Sequence, residues 1–259
     1  MDLQLKGKVA LVTGGSKGIG FETARLLAEE GCHVAICARG EKQLQIAADI
    51  IRQQTGNDVL PIVADVTKKL HCERLIDDVI AQFGQLDIVV NNAGTACATS
   101  FEHVTDELWE DDLQLKLYSA IRITRCALPH LKENGGAIVN VTASMAKTPP
   151  ANSLPTTVSR SAGLALTNAM SKDLAKYNIR VNAVCIGLVR SEQIEQAWRK
   201  NYASLSWEEY SNQQGEHIPL GRIGEATEAA NVIAFLASSA ASYVTGTAIN
   251  IDGGSAPAL

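Results

Sequence analysis

The stretch from Val9 to Gly20, VALVTGGSKGIG, constrains this chain more than any other. Four consecutive apolar residues, Val9 to Val12, have the length and the β-branched content of a buried strand. They run through Thr13 into glycines at 14, 15, 18 and 20, and then into the helical pattern Phe21-Glu22-Thr23-Ala24-Arg25-Leu26-Leu27-Ala28. A strand, a glycine turn and a helix in that order build an anion site. Glycine lets the backbone turn sharply and approach a pyrophosphate, and the helix presents unpaired N–H groups at its positive end. Gly14, Ser16, Lys17, Gly18, Ile19 and Gly20 are the candidate cradle. The competing reading is an ordinary tight turn; the flanking strand and helix argue against it.

The rest of the chain repeats that alternation. Apolar runs at 8–13, 32–37, 58–63, 86–90, 136–142, 179–184 and 247–251 read as strands. Amphipathic stretches near 18–30, 40–55, 68–83, 106–132, 157–176 and 225–238 read as helices. With no Pro/Gly/Ser-rich linker and no repeat, the expectation is one domain over 1–259, a doubly wound parallel sheet with helices on both faces. A hydrophobic content of 46% supports a substantial core. The segment 190–222 is longer than a normal strand-to-helix connection and carries Trp198, Tyr202, Trp207 and Tyr210. It reads as a helical lid over the pocket, or as an insertion whose aromatics only pack it against the body.

Composition removes other classes. A net charge of −5 without a basic stripe argues against nucleic acid as a partner. No apolar run approaches the roughly 18 residues of a membrane span, so no membrane partner is expected. Met1 to Lys8 lacks the basic start and apolar core of a signal peptide, which places the protein in the cytoplasm as an expectation. The 6 cysteines, at 32, 37, 72, 97, 126 and 185, show neither CxxC pairing nor metal-ligand spacing; they read as small apolar residues, with no metal expected.

The glycines follow Thr13 in the spacing GxxxGxG, and here the chain resembles the short-chain dehydrogenase/reductase family. The resemblance covers almost the whole chain. It is carried also by Asp65-Val66, by Asn91-Asn92-Ala93-Gly94, by Tyr243-Val244-Thr245-Gly246 and by Asp252-Gly253-Gly254. It implies a Rossmann-type seven-stranded sheet, a nicotinamide cofactor, a small carbonyl or alcohol substrate, and a homotetramer. In such sheets ligands bind at the carboxyl ends of the strands. The end of the second strand reads Cys37-Ala38-Arg39, without the carboxylate that would bond the ribose hydroxyls of NAD. Arg39 can pair with a 2′-phosphate and Lys17 adds a second cation, which together favour NADP(H). The resemblance further implies Asp65 and Val66 at the adenine, Asn92, Ala93 and Gly94 beside the ribose, and Gly187, Val189 and Ser191 at the carboxamide.

The family's catalytic pattern is absent. Similar enzymes use a tyrosine as proton donor, a lysine four residues later, a serine thirteen residues earlier, and an asparagine that holds a relay water. Those positions fall here on Thr156, Arg160, Ala143 (with Ser144 adjacent) and Lys116. A threonine hydroxyl has too high a pKa to serve alone as an acid near neutrality. Arg160 keeps the ribose-binding half of the lysine's role. Lys116, if turned inward beside Arg160, has a lowered pKa and becomes a candidate acid or base; if turned outward it is a solvated charge. Lys116, Ser144, Thr156 and Arg160 are therefore the candidate catalytic set, with ordinary ketone reduction expected to be slow unless Lys116 supplies the proton. Three functions stay open: an NADP(H)-dependent oxidoreductase, a non-redox lyase or isomerase reusing the pocket, and a catalytically silent nucleotide-binding subunit. The helix at 157–176 is apolar over more than one face, as expected of a subunit contact.

Overall fold

The structure is a computed structural model that describes residues 1–258, so the last residue of the expected 1–259 span lies outside it. Seven strands form one parallel sheet: β1 (Val9–Thr13), β2 (His33–Ala38), β3 (Val59–Val63), β4 (Ile88–Asn91), β6 (Gly136–Ala143), β8 (Ile179–Ile186) and β9 (Ala248–Ile251). Their spatial order is β3-β2-β1-β4-β6-β8-β9. The order reverses between β1 and β4, which opens a crevice at the carboxyl edge of the sheet. A separate antiparallel pair, β5 (Ala98–Thr99) with β7 (Leu154–Pro155), was not legible from periodicity because each strand has only two residues.

Burial on both faces explains the continuous apolar runs. Along β1, Ala10 and Val12 join a core formed with α1 (Gly18–Glu29), α2 (Glu41–Thr55) and α9 (Ala226–Ala237). Val9 and Leu11 point the other way, into a core with α3 (Lys69–Phe83), α5 (Ser119–Asn134) and α6 (Thr156–Leu174). Glycines at left-handed φ end α2 and α3, where a side chain would be strained.

Two departures from the expected rhythm matter. The helix anticipated over 106–132 is split: α4 (Asp106–Leu113) passes through a π-helical turn, Gln114–Tyr118, into α5. The extra residue per turn rotates the helix face at Lys116. The segment 190–222 holds two helices, α7 (Glu192–Asn201) and α8 (Trp207–Gln214), each capped by a serine at its start. Its aromatics pack on one another, with ring centroids 5.5 Å apart for Trp198–Trp207, 5.8 Å for Trp207–Tyr210 and 5.2 Å for Tyr202–Tyr210. These contacts hold the two helices of the insertion to each other.

Candidate active site

The glycine loop closes over the crevice because small residues permit contacts that side chains would block. Gly14 sits at φ +68°, and a Cβ on Gly20 would lie 2.3 Å from the Gly14 carbonyl oxygen. The Asn92 amide donates to the carbonyls of Thr13 (2.8 Å) and Gly14 (3.2 Å), tying the loop to the end of β4. The Thr13 hydroxyl accepts from the backbone N–H groups of Asn92 and Ala93, each at 3.0 Å. Whereas α4, α7 and α8 are each capped by a serine or threonine side chain, α1 has no side-chain cap and no acidic residue in its first turn. Gly18 is at φ +54°, and a Cβ there would meet only the Ser191 Cα, at 4.0 Å. An uncapped helix start behind an open, left-handed glycine fits a phosphate-bearing ligand.

A groove of about 510 Å³ runs from this loop between α1, α2 and α7, lined by Ser16, Lys17, Gly18, Gln43, Arg190 and Glu192 among others. Lys17 is ion-paired across it with Glu192 of α7. Arg39 stands exposed just past β2. Its charge reaches Asp65, whose carboxyl burial pushes up and hydrogen bonds from Thr67 pull down; Arg39 and Lys68 add to the pull, and the net shift is downward. Asp65 thus spends one oxygen on Thr67, accepting from its N–H at 3.0 Å and its hydroxyl at 2.8 Å. Val66 is buried beside it. On the far side, Gly187 lies so close to Asp252 that a Cβ would come within 2.5 Å of it. Val189 forms a β-bridge with Gly224, and the Ser191 hydroxyl accepts from the Ile194 N–H at 3.4 Å as the cap of α7.

The candidate catalytic residues gather into one buried cluster. Lys116 turns inward, its side chain 1% exposed, and its ammonium donates to Asp112 Oδ1 and, at 2.7 Å, to Thr156 Oγ1. Burial lowers the Lys116 pKa, the hydrogen bond that Lys116 donates to Asp112 opposes that shift, the Arg160 charge reinforces it, and the net direction is down. The second carboxylate oxygen of Asp112 accepts from the Ser159 hydroxyl. Thr156 Oγ1 is fully engaged: it accepts from Lys116 and from the Cys97 N–H (3.0 Å), and donates to the Cys97 carbonyl (2.6 Å). The β5–β7 pair brings Cys97 to the start of α6. Arg160 donates to the Val141 carbonyl and lies against Gly94, where a Cβ would be 2.6 Å from its guanidinium. Burial pushes Arg160 down to about 10, with Asp112 opposing, so it stays charged near neutrality. Ser144, buried at the end of β6, makes no side-chain hydrogen bond to a described residue.

Asp112, Ser159 and Cys97 belong to this cluster without having been singled out in the sequence. Asp112 had a readable signal, an acid four residues before a lysine on one helix. Cys97 contributes only backbone atoms to Thr156, which no residue type announces. No group of three or more metal-ligating side chains occurs among the described residues, and no described helix is long and apolar enough to cross a membrane.

A parallel sheet with a reversal at β1/β4, and a glycine loop opening a helix at that reversal, define a doubly wound nucleotide-binding protein of the Rossmann type. More narrowly, the chain belongs to the short-chain dehydrogenase/reductase family. The family model described as enoyl-(acyl carrier protein) reductase matches residues 14–256. The chain is 34% identical to the 3-oxoacyl-[acyl-carrier-protein] reductase of Staphylococcus aureus over 248 residues, 95% of this chain and 97% of that protein. Among solved structures, a short-chain oxidoreductase of Pseudomonas aeruginosa PAO1 described as containing an atypical catalytic center superposes with a TM-score of 0.95. It is 36% identical, with 98% of this chain and 99% of that chain covered. L-Sorbose reductase of Gluconobacter frateurii, complexed with NADPH and L-sorbose, superposes with a TM-score of 0.94 at 32% identity over 100% of both chains.

Proposed function

We propose that this protein is an NADP(H)-dependent oxidoreductase interconverting a small carbonyl compound and its alcohol, with a buried lysine in place of the family's acidic tyrosine. The observation that carries the reading is the 2.7 Å hydrogen bond from Lys116 Nζ to Thr156 Oγ1, the hydroxyl standing where the family has its proton donor. The P. aeruginosa relative, also solved with NADPH, is described as having an atypical catalytic center, and L-sorbose reductase also holds NADPH. Gly14, Ser16, Lys17, Gly18, Ile19 and Gly20 would hold the pyrophosphate, and Arg39 the 2′-phosphate. Asp65 and Val66 would meet the adenine, Asn92, Ala93, Gly94 and Arg160 the ribose, and Gly187, Val189 and Ser191 the carboxamide. When bound, the cofactor supplies hydride to the carbonyl carbon.

The protein's part is the proton. The Thr156 hydroxyl turns from the Cys97 carbonyl to the substrate oxygen and gives up its hydrogen while taking one from Lys116. The lysine is left as a neutral amine still bonded to Asp112. Concerted transfer avoids a free threonine alkoxide, whose cost is prohibitive near neutral pH. Burial and Arg160 already bias Lys116 toward releasing a proton. The Ser144 hydroxyl, without a side-chain partner among the described residues, would serve as a second donor to the oxygen. The 190–222 segment acts as a lid, and the subunits assemble as a homotetramer in the cytoplasm.

The test is NADPH oxidation against a panel of ketoses, simple ketones and 3-oxoacyl esters. Lys116→Met should lower kcat by at least about 10²-fold, the typical contribution of a positioned acid, while nucleotide binding persists. The pH profile of the unmodified protein should break well below a free lysine's pKa of about 10.4. Tight nucleotide binding with no turnover on any carbonyl would favour a silent subunit instead. Turnover that continues without nucleotide would favour a lyase or isomerase.

A further inference from the structure

Lys116 also borders a cavity of about 10 Å³ between the sheet and α6, lined by Asn91, Lys116, Asn140, Ser159 and Arg160 among others. That is the room of about one water molecule. Asn91 is 8% exposed, and its Oδ1 is buried without a hydrogen-bond partner among the described residues. The orientation of its amide is fixed by a chain of bonds. The Thr167 hydroxyl donates to the Gly163 carbonyl at 2.8 Å, so it must accept from Asn140 Nδ2, also at 2.8 Å. Asn140 Oδ1 therefore faces Asn91 and accepts from its Nδ2 at 2.9 Å, leaving Asn91 Oδ1 as the orphan acceptor. Lys116 has the complementary deficit: of three N–H bonds, one is on Asp112, one on Thr156, and the third has no partner among the described residues.

We propose that Asn91, Lys116 and Arg160 form a binding site for a single water molecule, which accepts from the third N–H of Lys116 and donates to Asn91 Oδ1. The lining selects the ligand. An anion would meet a carbonyl oxygen at hydrogen-bond distance, and a cation would meet an ammonium and a guanidinium. Only a small neutral molecule that both donates and accepts satisfies every group, and a buried acceptor left without a partner is costly. Asn91 is thus a positioning residue: by occupying the third N–H, the water keeps the other two on Asp112 and Thr156. That role rests on the proton path proposed above, whereas the water's presence does not.

Crystals of the unmodified protein grown in bromide in place of chloride, diffracting to about 1.8 Å, should show one peak at about 2.6–3.2 Å from both Asn91 Oδ1 and Lys116 Nζ, without anomalous signal. An empty cavity, or a bromide in it, would overturn the site whether or not the protein reduces any carbonyl. The positioning role is read from the Lys116 side-chain titration by ¹⁵N NMR in the nucleotide-free protein. The groups facing that amine are Asp112 from α4, Arg160, Thr156 and Ser159 from α6, and Cys97 from the β4–β5 loop. Asn91→Leu expels the water and should move the midpoint down by about one pH unit or more; Asn91→Asp retains an acceptor, adds a negative charge and should move it up. A side chain that only supports the fold would not shift the midpoint in opposite directions, so a midpoint unchanged in both variants refutes the role. Should Asn91→Leu fail to fold, the unmodified crystal and Asn91→Asp still decide.

Discussion

Asp112 is the residue on which the buried cluster turns, because its two oxygens hold Lys116 on one side and Ser159 on the other. Both members of the ion pair are shielded, with side-chain exposures of 1% for Lys116 and 2% for Asp112. Breaking such a pair by removing one partner leaves a buried charge uncompensated and typically costs about 3–5 kcal/mol. Asp112→Asn should lower stability by that amount in urea denaturation. Adding Lys116→Met should recover most of it, since with the ammonium gone no unpaired charge stays buried; no recovery would mean that the pair is not coupled. The same lysine shapes the alkaline limb. Its folded pKa lies below the ordinary 10.5, so between the two values the unfolded chain carries more protons and stability rises with pH. Lys116→Met should flatten that rise. The sequence marked Lys116 by its place in a family pattern, but its direction was undecidable there, since the π turn that rotates it inward leaves no mark in apolar periodicity.

Two helices carry consequences of their own. In α6 the buried positions are mainly hydroxyls, Thr156, Thr157, Ser159, Thr167 and Ser171, while Val158, Ala165 and Ala169 are exposed and Leu164, Leu166 and Met170 half-buried. The helix is thus turned with its polar face to the active site and much of its apolar content outward, an arrangement that suits burial against a second subunit. Light scattering at micromolar concentration should return four times the chain mass; a monomer would refute the tetramer. The apolar excess was readable in the sequence, whereas the inversion was not, because hydrophobicity alone assigns the apolar face to the interior. In α7, Glu192 ties up Lys17, a cation that the glycine loop would otherwise offer to phosphate. Both side chains are more than 40% exposed, so the pair is worth no more than about 1 kcal/mol. Glu192→Gln should therefore tighten NADPH by roughly two- to fivefold by calorimetry, an effect that fades as salt is raised. Weaker binding in this variant would show that Glu192 supports the ligand rather than competing with it.

For the molecule as a whole, the sheet was legible from end to end because strands buried on both faces write themselves as apolar runs, and every expected strand among 8–251 overlaps an observed one. What stayed illegible was assembled by distant contacts: the β5–β7 pair, the Cys97 backbone on Thr156, the chain from Gly163 to Asn91. This division matters for the proposed function, since the residues proposed for the cradle lie in the legible part and the contacts proposed to shape the proton path around Lys116 and Thr156 lie in the illegible part, and the two can be separated by experiment. A ligand present at 100 times its Kd stabilises the folded state by about 2.7 kcal/mol. At about 2–4 °C per kcal/mol for a chain of this size, NADPH should raise Tm by roughly 5–10 °C. NADH at the same concentration should do less, because no carboxylate stands at the end of β2 to take its ribose hydroxyls and Arg39 stands there instead. Arg39→Asp should reverse the order of the two nucleotides. Lys116→Met, which removes the proposed proton source, should leave both shifts intact. Equal shifts for NADPH and NADH in the unmodified protein would remove Arg39 from the 2′-phosphate, and no shift with either would remove the cradle itself. A full NADPH shift retained in a Lys116→Met chain that no longer reduces carbonyls would locate the proton path in the α4–α6 cluster and the nucleotide in the glycine loop, each independent of the other.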